Sequence, residues 1–271
     1  MSEAPHDAEQ RPAKYFSHLF GDALRGMTEK RLLELVRNEP VPRHLAIIMD
    51  GNRRFARSRG IEVRDGHARG RDTLEQLLNW CLDLHIRILT VYALSTENLR
   101  RSPEEVDGLM ELFDRALRDI ATDARVHDHR IRVRVIGNRE LLPARVREAI
   151  GIAEEATKDY HDYRYNVALG YGGRDEIVDA IRQLAREVRD GSLRPEAIDS
   201  EMVSRHLYTA DLPDPDLILR TSGEERISNF LLWQSAYSEL YFSDVLWPGL
   251  TRLEFLRAIR TFQLRRRRYG E

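Results

Sequence analysis

The chain has 271 residues with 43 basic and 45 acidic side chains, a net charge of −2 that excludes a general polyanion binder and speaks against a nucleic-acid partner. Apolar residues make up 42% and charged residues 32%, as in soluble globular proteins, and no apolar run reaches the length of a membrane span. The single cysteine, Cys81, excludes an internal disulfide framework and a cysteine-rich zinc site; the polar start Met-Ser-Glu-Ala-Pro-His-Asp is unlike a secretion signal, so a cytoplasmic location is expected.

Residues 1–12 read as a disordered tail. Residues 13–40 read as an N-terminal amphipathic helix with Phe16, Leu19, Phe20, Ala23, Leu24 and Met27 at helical spacing, ended by Pro40 and Pro42. Its polar face is not strongly basic, which favours packing over membrane attachment. From residue 41 to 271 strand-like and helix-like stretches alternate. Strands are expected at 44–49, 87–93, 131–136, 164–169, 216–220 and, weakly, 240–246; helices at 67–84, 103–122, 143–158, 174–190 and 252–266. The alternation predicts one α/β domain, a mostly parallel six-stranded sheet surrounded by helices.

In such sheets ligands bind beyond the carboxyl ends of the strands. The five clearest strands are followed by Asp50-Gly51-Asn52-Arg53-Arg54, by Ser95-Thr96-Glu97-Asn98-Leu99-Arg100-Arg101, by Gly137-Asn138-Arg139, by Gly170-Tyr171-Gly172-Gly173-Arg174, and by Arg220-Thr221-Ser222-Gly223-Glu224-Glu225-Arg226-Ile227-Ser228-Asn229. Turn chemistry accounts for the glycines and asparagines but not for arginine at all five ends. The expected ligand is an anion held by guanidinium groups and by backbone N–H groups at helix starts.

Asp50 has two readings, a cap for the next helix or a ligand for Mg²⁺ shared with phosphate oxygens. His67 reads either as a structural helix-start histidine or as a hydrogen-bond donor to a leaving diphosphate. His127 and His129 read as solvated turn residues, Cys81 as core, and Arg265 to Arg268 as a charged helix end. No G-x-x-x-x-G-K-[ST] loop, complete dinucleotide-binding glycine pattern or D-D-x-x-D motif is present. A Mg²⁺-dependent phosphatase built on Asp50 is an alternative, although Asn52 stands where the usual second aspartate would be.

From about His44 to Gly270 the sequence resembles the cis-prenyltransferases, the undecaprenyl diphosphate synthase family. The motifs are HLAIIMDGNRRFA, GHARG, YALSTENLRRSPEEV, NVALGYGGR, DLILRTSGEERISNFLLWQSAYSELYFSDVLWP and the terminal RRYG. The resemblance implies repeated, Mg²⁺-dependent addition of isopentenyl diphosphate to an allylic diphosphate. It makes Asp50 the metal-handling aspartate, with Asp50, Asn98 and His67 catalytic. Gly51, Asn52, Arg53, Arg54, Phe55, Ser95 and Arg101 would hold the allylic diphosphate, with Glu105 just beyond. Arg220, Arg226, Ser228 and Arg268 would hold isopentenyl diphosphate, Arg268 and Gly270 forming the terminal R-x-G. Glu239 would reach the metal of a partner subunit in a homodimer. Ala93, Leu94, Leu109, Leu112 and Phe113 fall where the family's product tunnel lies, or are ordinary core. Either Asp50 or the diphosphate could take the proton released in condensation.

The small Ala93 favours a long, undecaprenyl-like product, a carrier lipid delivered to the membrane by peripheral contact. The sequence departs from many relatives at Arg53, Phe55 and Glu225, and Val63 stands where an arginine is expected, with Arg64 one place later. The long N-terminal helix and these variants look most like the archaeal branch, which is often primed by geranylgeranyl rather than farnesyl diphosphate. A non-catalytic subunit of a heteromeric prenyltransferase is the remaining alternative.

Overall fold

The computed structural model describes residues 27–266. The expected tail at 1–12, the first part of the N-terminal helix, Arg268 and Gly270 lie outside them.

β1 (His44–Ile48), β2 (Ile88–Ser95), β3 (Ile131–Ile136), β4 (Tyr163–Tyr171), β5 (Leu217–Arg220) and β6 (Glu239–Phe242) form one sheet in the order β3-β4-β2-β1-β5-β6. Every neighbouring pair is parallel. All five residues of β1 are buried, as expected for a parallel strand covered on both faces, so its sequence is a continuous apolar run rather than an alternation. β1 pairs with β2 on one side and β5 on the other, so the chain leaves it in two directions. The crevice at that switch point is where a ligand belongs.

α1 (Glu29–Arg37) falls inside the stretch expected as one helix over 13–40 but starts afresh there: Thr28, in extended backbone, caps it by accepting from Arg31 N, and Asn38 ends it. Along the sheet follow α2 (Asn52–Arg59), α3 (Val63–Asp83), α4 (Pro103–Ile120), α5 (Ala124–Asp128), α6 (Ala144–Thr157), α7 (Gly173–Arg189) and α8 (Ser200–Arg205), and α9 (Arg252–Arg266) is last. The periodicity did not announce α2, α5 and α8. α2 buries only Ala56 and so has no apolar stripe to recognise. α3 begins at Val63, which places His67 in its second turn rather than at its start. His127 is not a solvated turn residue: it lies in α5 within 2.8 Å of the Tyr160 hydroxyl and accepts no solvent role at Nε2, which sits 2.9 Å from the Ala121 carbonyl.

The chain forms two compact units. One is the sheet unit Val41–Thr251; the other joins the segment up to Pro40 with the segment from Arg252. In the second unit α1 and α9 pack together, with Leu32 and Val36 of α1 and Phe255, Leu256 and Ile259 of α9 fully buried. Gln263 closes it by donating to the carbonyls of Val36 (2.9 Å) and Glu39 (3.1 Å).

His44 opens β1 and is buried. Its Nδ1–H donates to the Pro213 carbonyl (2.7 Å), its Nε2 accepts from the Thr90 hydroxyl (2.8 Å), and Thr90 in turn accepts from Asn166 Nδ2 (3.1 Å). Burial pushes the imidazole down from 6.5 to about 4. Between those values the unfolded chain binds more protons than the folded one, so stability falls as pH falls through that window, by about 3 kcal/mol once both states are protonated. Denaturant midpoints at pH 7 and pH 4.5 should fall further apart in the wild-type chain than in His44→Gln, whose amide keeps one donor and one acceptor but does not titrate.

Candidate active site

A cleft of about 720 Å³ opens at the carboxyl ends of β1, β2 and β5. Asp50 is fixed there by its backbone. Its N–H donates to Thr221 Oγ1 (3.0 Å), and its carbonyl accepts from Thr221 Oγ1 (2.6 Å) and Trp247 N (3.0 Å). Gly51, at φ +114°, turns the chain into α2, and it, not Asp50, holds the cap position. The Asp50 carboxylate points elsewhere: Oδ2 accepts from Arg220 Nη2 (2.8 Å) and lies 3.6 Å from Arg54 Nη2. Burial pushes this carboxyl up, but the Arg220 hydrogen bond and the charges of Arg220 and Arg54 outweigh it and hold the group below the usual aspartate range.

Arg220 ends β5 and is only 4% exposed. Its Nη1 donates to Ser228 Oγ (2.6 Å) and to the Arg226 carbonyl (2.5 Å). One buried guanidinium therefore joins the Asp50 loop to the loop after β5. Arg54 extends the link, donating to the Ser222 carbonyl (3.1 Å) and lying 3.5 Å from Glu224.

The opposite wall comes from the turn after β2 and from α3 and α4. Ser95 Oγ accepts from Asn98 N (3.1 Å), and Asn98 Oδ1 accepts from Ser95 N (3.4 Å), a reciprocal pair that stiffens the turn. Glu105, in the first turn of α4, is the hub of this wall. Arg101 donates to it at 3.0 Å, Arg53 lies at 3.8 Å and His67 Nε2 at 3.5 Å. Burial, helped by the charges of Arg101 and Arg53, holds His67 below its ordinary value against the pull of Glu105. The imidazole therefore stands in the cleft as a neutral hydrogen-bonding group at pH 7.

Asp50, Gly51, Asn52, Arg53, Arg54, His67, Ser95, Asn98, Arg101, Arg220 and Ser228 all line the cleft, as the sequence expected. Several expected residues do not. The exposed Arg226 is turned to Glu224, at 2.5 Å. Phe55 lies under the Arg59 guanidinium, 5.6 Å from its ring centre, outside the lining. Glu239 opens β6 opposite Leu217, while Arg220 pairs with Phe242. That puts Glu239 about 10 Å of strand away from the Asp50 end, at about 3.3 Å per residue.

Anion-binding arginines at all five strand ends is an expectation the structure corrects. Arg139 turns back to Glu154 (2.6 Å), and Arg174 is exposed outside the lining, because β3 and β4 sit away from the switch point. Tyr92, Glu97, Arg57 and Asn229 line the cleft without having been singled out. Arg57 follows Arg53 at helical spacing, a signal missed because none of the expected helices covers 52–59.

Below the polar cleft lies a narrow apolar pocket of about 100 Å³. Ala93, Leu109, Leu112 and Phe113 line it, joined by Ala116, Leu117 and Ile120 along one face of α4. Leu94 does not, because adjacent strand residues point to opposite faces, and it is buried in core. Met49, Asn52, His67, Ala93 and Leu109 belong to both cavities, so the two meet beneath Asp50.

A family model described as "Putative undecaprenyl diphosphate synthase" matches residues 48–270. A tritrans,polycis-undecaprenyl-diphosphate synthase (geranylgeranyl-diphosphate specific) of Thermoplasma acidophilum is 55% identical over 254 residues, covering 94% of this chain and 98% of its own. The protein of the same description from Pyrococcus horikoshii is 55% identical over 242 residues, covering 89% and 92%. Among solved structures, lavandulyl diphosphate synthase from Lavandula x intermedia, in complex with dimethylallyl diphosphate, superposes with a TM-score of 0.79 at 37% identity, covering 82% of this chain and 95% of that one. The chain belongs to the undecaprenyl diphosphate synthase family of cis-prenyltransferases. Its similarity is to the archaeal members, as the motif variants suggested.

The Asn52 position depends on glycine packing between α2 and α3. A Cβ on Gly70 would lie 2.2 Å from Asn52 Oδ1 and 3.0 Å from Trp247 Cδ1. Gly70→Ala should displace the Asn52 side chain and lower prenyl transfer at least about tenfold, a 1 Å displacement near the chemistry costing up to about 10²-fold. Steady-state kinetics beside a melting curve checks this, since helix propensity alone favours alanine.

Proposed function

We propose that the chain is a cis-polyprenyl diphosphate synthase that extends geranylgeranyl diphosphate with isopentenyl diphosphate to a long, undecaprenyl-like product. The observation that carries this is the junction of two cavities at Ala93: a cationic cleft built to hold diphosphates meets an apolar pocket that can take a hydrocarbon tail. The names of the archaeal relatives supply the primer.

In this reading the allylic diphosphate lies against the N–H groups that open α2, with Asn52, Arg53, Arg54, Arg101 and His67 around it and its tail towards Ala93. Isopentenyl diphosphate takes the side of Arg220 and Ser228. Arg226 exchanges Glu224 for the incoming diphosphate, an exposed ion pair that costs little to break. Among the described residues no group of three or more His, Cys, Asp or Glu side chains could hold a metal ion alone. A single carboxylate beside phosphate oxygens is nevertheless the donor set Mg²⁺ accepts, and the Asp50 side chain is one-third exposed to the cleft. Bound there with the substrates, Mg²⁺ would neutralise diphosphate charge.

Condensation breaks the allylic C1–O bond, whose electron pair leaves with the diphosphate. The C4 carbon of isopentenyl diphosphate bonds to C1, and a proton leaves its C2. Arg54, Arg101 and the His67 hydrogen bond stabilise the departing charge. Asp50, held below the usual aspartate range by two arginines, is a weak base, which favours a diphosphate oxygen as proton acceptor. Glu239, at the far end of its strand from Asp50, would act in a partner's site, so in this reading the working unit is a homodimer. The product reaches the membrane by peripheral contact; no helix among the described residues is long and apolar enough to cross one.

Labelled isopentenyl diphosphate offered with geranyl, farnesyl or geranylgeranyl diphosphate should give long products, best with geranylgeranyl diphosphate and abolished by EDTA. Absence of incorporation by folded protein with every primer would overturn the reading, and EDTA-sensitive phosphate release in its place would make the protein a phosphatase. Asp50→Ala should lower turnover about 10²–10³-fold or more, as loss of a charge-stabilising group does. Ala93→Phe should shorten the products while leaving the first condensation near its normal rate, read by product sizing.

A further inference from the structure

Two loops face each other across the cleft. The turn Ser95–Arg101 follows β2 on the primer side, and the segment 220–231 follows β5 on the isopentenyl side. One side chain joins them. The Asn229 carbonyl accepts from Gly173 N (2.7 Å) and its Oδ1 accepts from Arg174 N (2.9 Å), so it occupies the first N–H groups of α7. This fixes the amide's orientation and leaves Nδ2 to donate to Glu97 Oε1 on the other loop, at 3.0 Å.

The surroundings are built for this contact. Thr96 hangs from the same helix start, its hydroxyl donating to Asp175 Oδ2 (3.2 Å) and its N–H to the Tyr171 carbonyl (3.0 Å). Gly172 leaves room for all three side chains: a Cβ there would lie 2.5 Å from Asp175 Oδ2, 2.9 Å from Asn229 Nδ2 and 3.0 Å from Thr96 Oγ1. Ser228, Asn229 and Leu231 have φ of 47°, 63° and 44°, an unfavourable conformation for non-glycine residues that persists where the surroundings over-determine it. Asparagine tolerates it better than most. Ser228 then receives the Arg220 guanidinium that holds Asp50.

We propose that Asn229 is a positioning residue which, through its bond to Glu97, clasps the primer-side loop to the isopentenyl-side loop and so sets the separation of the two bound substrates. The proposal rests on the subsite assignment above. It matters chemically because bond formation needs the reacting carbons about 3–3.5 Å apart, and a 1 Å error costs up to about 10²-fold.

A reciprocal exchange tests it. Asn229→Asp keeps an acceptor for Arg174 N–H but loses the donor and sets a second carboxylate against Glu97. It should lower kcat for the first condensation about 10–100-fold and change the KM of either substrate less. Glu97→Gln retains an acceptor and should have a smaller effect. In the double variant E97Q/N229D the bond runs the other way, glutamine donating to aspartate, and most of the lost kcat should return. Amide hydrogen exchange over residues 226–231, measured on the free protein, should quicken in N229D and slow again in the double variant. The clasp is refuted if N229D behaves as wild type in exchange, or if the double variant is no better than N229D in both readouts. Failure of the wild-type chain to condense any primer would sink the subsite assignment instead, while the exchange data would still judge the clasp.

Discussion

Arg220 carries an almost fully buried charge at the edge of the cleft, and the site is arranged around its two Nη groups. A guanidinium that is 4% exposed needs acceptors from the protein, and only its Nε goes without one. It takes them from Asp50 at the end of β1, from Ser228 Oγ and from the Arg226 carbonyl. The parallel register makes this possible: Ile48 pairs with Arg220, so Asp50 emerges two residues beyond, beside the guanidinium. Removing one partner of such a buried pair typically costs about 3–5 kcal/mol, because the other charge is left uncompensated. The same contact holds the Asp50 carboxyl ionised and makes it a weak base.

A second constraint is close backbone approach. Gly66 and Gly70 let α3 lie against the start of α2, where a Cβ would meet the Asn52 carbonyl at 2.7 Å or its side-chain oxygen at 2.2 Å. Gly172 and Gly173 do the same for α7 and the loop after β5, a Cβ on Gly173 meeting Leu232 at 2.8 Å. The glycine-rich stretch after β4 resembles a phosphate cradle in sequence, yet its N–H groups at Gly173 and Arg174 are consumed by Asn229. Its contribution to binding is indirect. It supplies the fixed point from which the loops after β2 and β5 hang, while the cleft arginines lie on the other side of the switch point.

The strands were legible because strands buried on both faces are continuous apolar runs, and HLAII and ILTVYA read as such. The helices with apolar stripes were legible for the related reason that a stripe has a period. α2 has none, since it buries one alanine and turns Arg53, Arg54 and Arg57 to the cleft, so no apolar period marks that cationic row as helical. Sheet order was not legible, and it decides which strand ends share a crevice. That is why Arg139 and Arg174 looked like Arg54 and Arg220 in one dimension and do not join them in three. Leu94 beside Ala93 failed for a local reason, the alternation of strand faces. Leu109, Leu112 and Phe113 could be told from ordinary core only by position, because a tunnel wall and a core face have the same helical period.

The two cavities impose opposite demands within one short distance. In the proposed reading the cleft holds two diphosphates that repel each other, which calls for fixed cations and donors. The pocket below must be apolar along its length for a growing chain to enter it. Asn52, His67, Met49, Ala93 and Leu109 stand at the border and belong to both walls. His67 shows how the border is made: burial suppresses its charge, so it presents a hydrogen bond to the anionic side without placing a cation against the hydrocarbon side. Ala93 does the equivalent with size, lining both cavities with a single methyl group. In the proposed reading each condensation expels the allylic diphosphate and leaves the lengthened chain on the former isopentenyl diphosphate, so the old reacting carbon joins the tail and the tail must pass one unit further across the border before the next addition.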